Sequence, residues 1–127
     1  MDVVRLLLVL LGGAFGTGCR YGLSTFVYSV VKKPSFPYAN FIINVSGSFI
    51  IGLLAELFQA RWIVSPTVRA ALMTGVLGGY TTFSSFSLET FSLLRDGEFV
   101  LAFANAVGSV ALGLAAVWLG ARLAQLI

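Results

Sequence analysis

The sequence has no histidine, a single cysteine and very little charge. With Cys19 alone, no internal disulfide framework can form, and without histidine the usual Cys/His metal cages are excluded. Charged residues make up 10% of the chain, against about 25% in soluble domains. Net charge is +3 and the pI is about 9.4, a balance that in a soluble protein raises nucleic acid as a partner. Here the bases stand apart, at Arg5, Arg20, Arg61, Arg69, Arg95 and Arg122, and only Lys32 and Lys33 are adjacent. No basic stripe or RNA-binding module is present, so no nucleic acid is expected as a partner.

What the chain does contain is apolar: 58% of its 127 residues are hydrophobic, and mean hydropathy is +0.97. A membrane-crossing helix takes about 20 apolar residues, so four of them consume most of the chain and leave only short connections. The expected fold class is an all-α membrane protein, a single four-helix transmembrane domain over residues 1–127. The ranges read off the sequence are about 3–28, 38–59, 68–94 and 99–123. Lys32, Lys33 and Pro34 end the first; Pro34 and Pro37 frame the turn into the second, which closes against Arg61 and Trp62. Ser65-Pro66 and then Arg95, Asp96, Gly97 and Glu98 supply the remaining turns. The third helix is expected to be broken, because Gly75, Gly78 and Gly79 run into Thr81 and Thr82. The start, Arg5 followed by an apolar run, reads as a permanent helix and not as a signal peptide: Cys19 follows Gly16, Thr17 and Gly18, without the leucine of a lipoprotein cleavage site.

Four crossings put Arg5, Arg61, Arg69 and Arg122 on one side and Lys32, Lys33 and Arg95 on the other. Orientation follows the excess of such charges in short loops, and here there is almost none. The pattern points to insertion both ways up and an antiparallel homodimer, which creates across two chains the inverted repeat that many transporters carry within one. Glycines recur at four-residue spacing, as Gly12 and Gly16, Gly18 and Gly22, Gly75 and Gly79. That spacing lets helices approach closely, either within the chain or between two copies.

Several polar groups lie where hydrocarbon is expected. Arg20 falls about 26 Å along the first helix from Val3, near the far interface, as an anchor or as an attractor of anions. Asn44 sits among Ile42, Ile43 and Val45, either as interhelical glue or as a hydrogen-bond donor to a permeating anion. Phe83 and Phe86 share a helix face among Thr81, Thr82, Ser84, Ser85 and Ser87. Ring edges carry the positive part of the aromatic quadrupole, so edges, hydroxyls and an amide can hold an anion without trapping it. Unwinding Gly78 to Thr82 frees backbone carbonyls able to coordinate a cation. Glu89, one turn past Ser85, either accepts hydroxyls in a polar file or marks the interfacial end of the helix. Asn105 and Ser109 extend that polar face or tie neighbouring helices together.

Taken together, the run GVLGGYTTFSSFSLET from Gly75 to Thr90 resembles the signature G-x-x-G-G-x-T-T-F-S-[ST]-F-S-x-E of the small fluoride channel family known as Fluc or CrcB. The glycine-rich stretch ending in Arg20 and the N-x-x-G of Asn44 to Gly47 are similar to the family as well, so the resemblance covers essentially the whole chain. It implies four helices with a broken third, assembled as an antiparallel dual-topology homodimer with two pores. It further implies that Phe83 and Phe86 line each pore, that Asn44 donates to the ion, and that the Gly78 and Thr81 carbonyls of both protomers hold a central structural sodium. By the same carry-over Arg20 sits at a vestibule, and Ser84, Ser85, Glu89 and Ser109 belong to or flank the polar file. The chain departs from many members at Ala39 and Asn40, where they show Gly-Thr, and at Asn105, where they show tyrosine.

The expected function is a passive, fluoride-selective channel of a prokaryotic plasma membrane, with fluoride, sodium, the lipid bilayer and a second copy of itself as partners and no reaction catalysed. A four-helix multidrug exporter fits the length, but needs an acidic residue deep in the first helix, where this chain has Arg20. A scaffold subunit of a membrane complex leaves the serine- and threonine-rich third helix without a purpose.

Overall fold

A computed structural model describes residues 2–127, and among them every regular element is helical. Helix α1 (Val3–Val30) is started by Asp2, whose carboxylate accepts from the Val4 N–H at 3.0 Å. It stops just before the Lys32-Lys33-Pro34 turn, two residues later than the sequence range. Helix α2 (Tyr38–Ala60) follows Pro37.

The third segment is assembled from pieces: a short α-turn, α3 (Pro66–Arg69), a π-helical stretch, π1 (Ala70–Leu77), a last turn, α4 (Gly78–Tyr80), and then α5 (Phe83–Arg95). Ser65 caps its start by accepting from the Val68 N–H at 3.1 Å, with Pro66 at the first helical position, where its missing N–H costs nothing. α5 ends in a Schellman turn. The Glu98 N–H reaches back to the Leu93 carbonyl at 2.8 Å and the Gly97 N–H to Leu94 at 3.1 Å, while Gly97 takes the left-handed φ of 79° that glycine alone adopts without strain. Helix α6 (Phe99–Leu126) runs three residues beyond the expected range.

Three helices, α1, α2 and α6, are each long and apolar enough to cross a membrane. The third segment is divided, so none of its pieces reaches that length. Its break is narrower than the expected Gly78 to Thr82. The glycines Gly75, Gly78 and Gly79 remain helical, and the chain becomes extended only at the last two residues of that run, Thr81 (ψ 160°) and Thr82 (φ −152°, ψ 121°). Glycine here serves packing: a methyl on Gly16 would collide with the Val76 carbonyl, and one on Gly79 with the Gly13 carbonyl. α1 is thereby pressed onto π1 and α4.

The other tight seam is α2 on α6, where Gly52 meets the Val117 carbonyl and Gly120 the Phe49 carbonyl. The interior is thin and made of Ile43, Leu57, Leu77 and small alanines, while Leu, Val and Phe side chains cover the outside, as expected of a chain solvated by lipid.

Candidate functional site

The site is built around the break. Asn44, half-buried on α2, pairs with the backbone of Thr82 through both ends of its amide: Nδ2 donates to the Thr82 carbonyl at 3.1 Å, and Oδ1 accepts from the Thr82 N–H at 2.9 Å. The side chain thus does what a neighbouring strand would do, and it satisfies extended backbone that lipid could not. Thr82 then caps α5, its Oγ1 accepting from the Ser85 N–H at 3.2 Å.

These bonds have a consequence upstream. In a continuous helix the Thr82 N–H bonds the Gly78 carbonyl and the Ser85 N–H bonds the Thr81 carbonyl. Both donors are diverted, so the Gly78 and Thr81 carbonyls lose their helical partners. The Gly79 carbonyl is taken from the other side by α1, with Arg20 Nε donating at 3.1 Å and Thr17 Oγ1 at 3.5 Å.

The two helix ends meeting at the break have opposite character. The carbonyl end of α4 carries partial negative charge and favours a cation; the N–H end of α5 favours an anion. Beside them lies a cavity of about 380 Å³, whose lining includes Asn44, Gly78, Thr81, Phe83, Phe86 and Ser109, with no charged side chain among its walls. The Phe83 and Phe86 rings stand 5.7 Å apart, tilted by 42°. Phe83 is 79% exposed, beside hydroxyl-bearing residues.

Of the residues singled out in the sequence, Phe83, Phe86, Asn44, Ser109, Gly78 and Thr81 share this cavity. Ser84 and Ser85 are not among its walls but contact Thr82, which is: Ser84 Oγ lies 3.5 Å from Thr82 Oγ1, and the Ser85 N–H makes the cap. Glu89 lies further along α5, where Oε1 accepts from Asn40 Nδ2 and Oε2 is buried without a partner. Arg20 does not line the cavity; it reaches the break from behind.

Three residues were missed or left undecided by sequence reasoning. Thr82 was noticed within a glycine-threonine run and as a hydroxyl beside the rings but not as a cap, although a threonine just before a helical stretch is a capping signal. Asn40, the partner of Glu89, carries no such signal. Asn105 is 1% exposed, donates to Thr90 Oγ1 at 2.9 Å and accepts from Ser109 at 3.4 Å, which makes it a tie between α5 and α6.

Fold and site together define a multi-pass α-helical membrane protein with a neutral, aromatic and hydroxyl-lined cavity at a broken helix. Comparison of sequences places it more narrowly. The chain belongs to the family described as CrcB-like protein, Camphor Resistance (CrcB), which matches residues 7–121. It is 51% identical over 116 residues to a protein of Opitutus terrae, covering 90% of this chain and 87% of the relative. It is 48% identical over 115 residues to one of Geotalea daltonii, covering 91% and 92%. A protein of Solibacter usitatus is 48% identical over 122 residues, covering 96% and 99%. Each of the three relatives is named "Fluoride-specific ion channel FluC".

Proposed function

We propose that this chain is a fluoride-selective ion channel that lets fluoride leave a prokaryotic cell passively across its plasma membrane. The carrying observation is the cavity itself, where the rings of Phe83 and Phe86, hydroxyl-bearing residues and one amide gather without a charged side chain. Such a lining replaces part of a halide's hydration shell yet holds it weakly enough to release it, which conduction requires. The naming of the relatives as ion channels, not enzymes, supports the same reading.

In this reading the working unit is an antiparallel dual-topology homodimer with two pores. The balanced loop charge supports it, as does the exposure of Phe83, whose ring needs a neighbour if it is to face an ion and not lipid. Gly18 and Gly22 meet nothing within their own chain, so their close-packing surface is free for a second copy. Asn44 both clamps the break and keeps a second N–H for the ion; Ser109, Ser84, Ser85 and Glu89 continue the file, and Arg20 lies toward a vestibule.

A structural sodium at the dimer centre fits the residues present. The Gly78 and Thr81 carbonyls, deprived of their helical donors, are hard oxygen ligands of the kind such a cation takes, and two copies double their number. When bound, the cation would supply fixed positive charge that ties the two breaks together.

The test is fluoride efflux from liposomes holding the purified protein, followed with a fluoride electrode. Fast efflux that ignores chloride is the expected result. Liposomes that retain fluoride in every orientation and salt would overturn the reading.

A further inference from the structure

We infer that the paired ends of α2 and α6 form a binding site for the phosphate of an anionic phospholipid. The inference needs only that the chain spans a bilayer; it does not depend on which ion the cavity conducts.

Two guanidinium groups converge on one neutral residue there. Arg61 Nη2 donates to the Gln125 backbone carbonyl at 2.9 Å, and Arg122 Nη1 donates to Gln125 Oε1 at 3.0 Å. The carboxylate in the cluster, Glu56, is held at 3.3 Å by Gln125 Nε2 and pairs with neither arginine. Among the described residues the one ion pair is Arg95 with Asp96, in another loop. Like charges brought together cost energy, and among the described residues neither of these two forms an ion pair. Each guanidinium has five N–H donors in a planar fork, and each spends one of them on Gln125. The remaining donors match a phosphate, which arginine binds through two parallel hydrogen bonds.

The next two residues of the chain set the depth. Trp62 follows Arg61 and is 53% exposed, and Ile63 after it is completely exposed. A tryptophan beside a bare isoleucine in a loop suits the boundary between headgroups and acyl chains, where indole rings collect. The arginines beside them then lie at phosphate level, so the phosphate that meets them is part of a lipid and not free in solution.

A basic residue near an anionic membrane surface strengthens attraction about fivefold, so the pair is expected to contribute about 25-fold. The experiment is native mass spectrometry of the purified protein titrated with phosphatidylglycerol, phosphatidylcholine or glycerol 3-phosphate. The wild type is expected to retain phosphatidylglycerol in preference to phosphatidylcholine and to ignore glycerol 3-phosphate. The variant carrying Arg61→Gln and Arg122→Gln should bind phosphatidylglycerol about 25-fold more weakly, the double lysine variant less than fivefold more weakly, and Arg95→Gln as the wild type does.

Equal retention of the two lipids by the wild type sinks the proposal even if no variant folds. So does unchanged affinity in the double glutamine variant. Tight binding of glycerol 3-phosphate would assign the site to a soluble anion, and separation of the protein into monomers on removing the charges would assign it to a protein contact; either outcome overturns the lipid.

Discussion

Asn44 and Thr82, on different segments, are joined by two hydrogen bonds of 3.1 and 2.9 Å that use both ends of one carboxamide. Only a carboxamide offers a neutral donor and acceptor at that spacing, and asparagine is the shorter of the two residues that carry one. Asn44→Asp keeps the acceptor and loses the donor, whereas Asn44→Ala loses both. A typical net hydrogen bond contributes about 1 kcal/mol, and a stranded partner costs about 1–3 kcal/mol. Both variants are therefore expected to unfold at lower denaturant than the wild type, the aspartate variant also because its carboxylate would face the Thr82 carbonyl without a donor. Fluoride efflux per folded protein should fall at least tenfold in both, because aspartate also places an anion against the cavity. Denaturant midpoints and electrode traces on the same preparations check this; wild-type midpoints in both variants would show that the clamp carries no weight.

The clamp also explains what the sequence could and could not disclose. The helical class, four segments and a bent third were readable from composition, hydropathy and punctuation, because lipid imposes apolar runs of fixed length. The region of the bend, Gly78 to Thr82, was readable too, but not the residues within it that open. Glycine density drew attention to Gly78 and Gly79, yet the chain opens at Thr81 and Thr82, where a residue 38 positions away takes the Thr82 N–H. Local propensity cannot register a donor that arrives from another helix. The π-helical stretch Ala70–Leu77 likewise has no composition of its own. At the site, the three-residue spacing of Phe83 and Phe86 was enough to bring the rings together, whereas the pairing of Asn40 with Glu89 depends on the tertiary approach of α2 and α5.

The glycines at four-residue spacing separate by environment. On Gly16 a methyl would strike the Val76 carbonyl and crowd the Tyr80 N–H, so Gly16→Ala has to push α1 off the third segment. Overpacking of this kind costs about 1–3 kcal/mol or more, since backbone cannot yield as a flexible side chain can. Gly18 meets nothing in its own chain, so Gly18→Ala should leave the folded protomer intact. Thermal unfolding in detergent is expected to show a loss of several degrees for Gly16→Ala and none from the protomer for Gly18→Ala. If Gly18→Ala instead weakens self-association, measured by dilution of labelled subunits, the four-residue spacing there serves a second copy.

Arg20 tests whether charge or geometry matters behind the break. Its Nε–H, close to the plane of the stem, meets the Gly79 carbonyl at 3.1 Å, alongside the Thr17 hydroxyl. Lysine carries the charge but has no donor at the Nε position, and glutamine has neither the charge nor the reach. If geometry dominates, Arg20→Lys and Arg20→Gln lower the unfolding midpoint alike and slow efflux alike. That is the expected result. Recovery of efflux in the lysine variant alone would show that the positive charge acts on the anion at long range, and the deficit of the glutamine variant should then grow as salt is lowered.

The rings pose the sharpest test, because Phe83 can be altered with little cost to the protomer. At 79% exposure it contributes almost nothing to the chain's own interior, so Phe83→Ile should leave the unfolding free energy of the protomer within about 0.5 kcal/mol of the wild type. Isoleucine has similar bulk and hydrophobicity but no quadrupole, so it takes away the positive ring edge while still filling space. If that edge helps stabilise the halide, efflux should drop by at least tenfold while the protein still migrates as the same oligomer in size-exclusion chromatography. Phe83→Tyr keeps the ring and should retain more of the wild-type rate than isoleucine does. Equal efflux from isoleucine and phenylalanine would mean that the ring is packing against lipid or against a second copy, and the cavity beside Asn44 would have to conduct by its hydroxyls and amide alone.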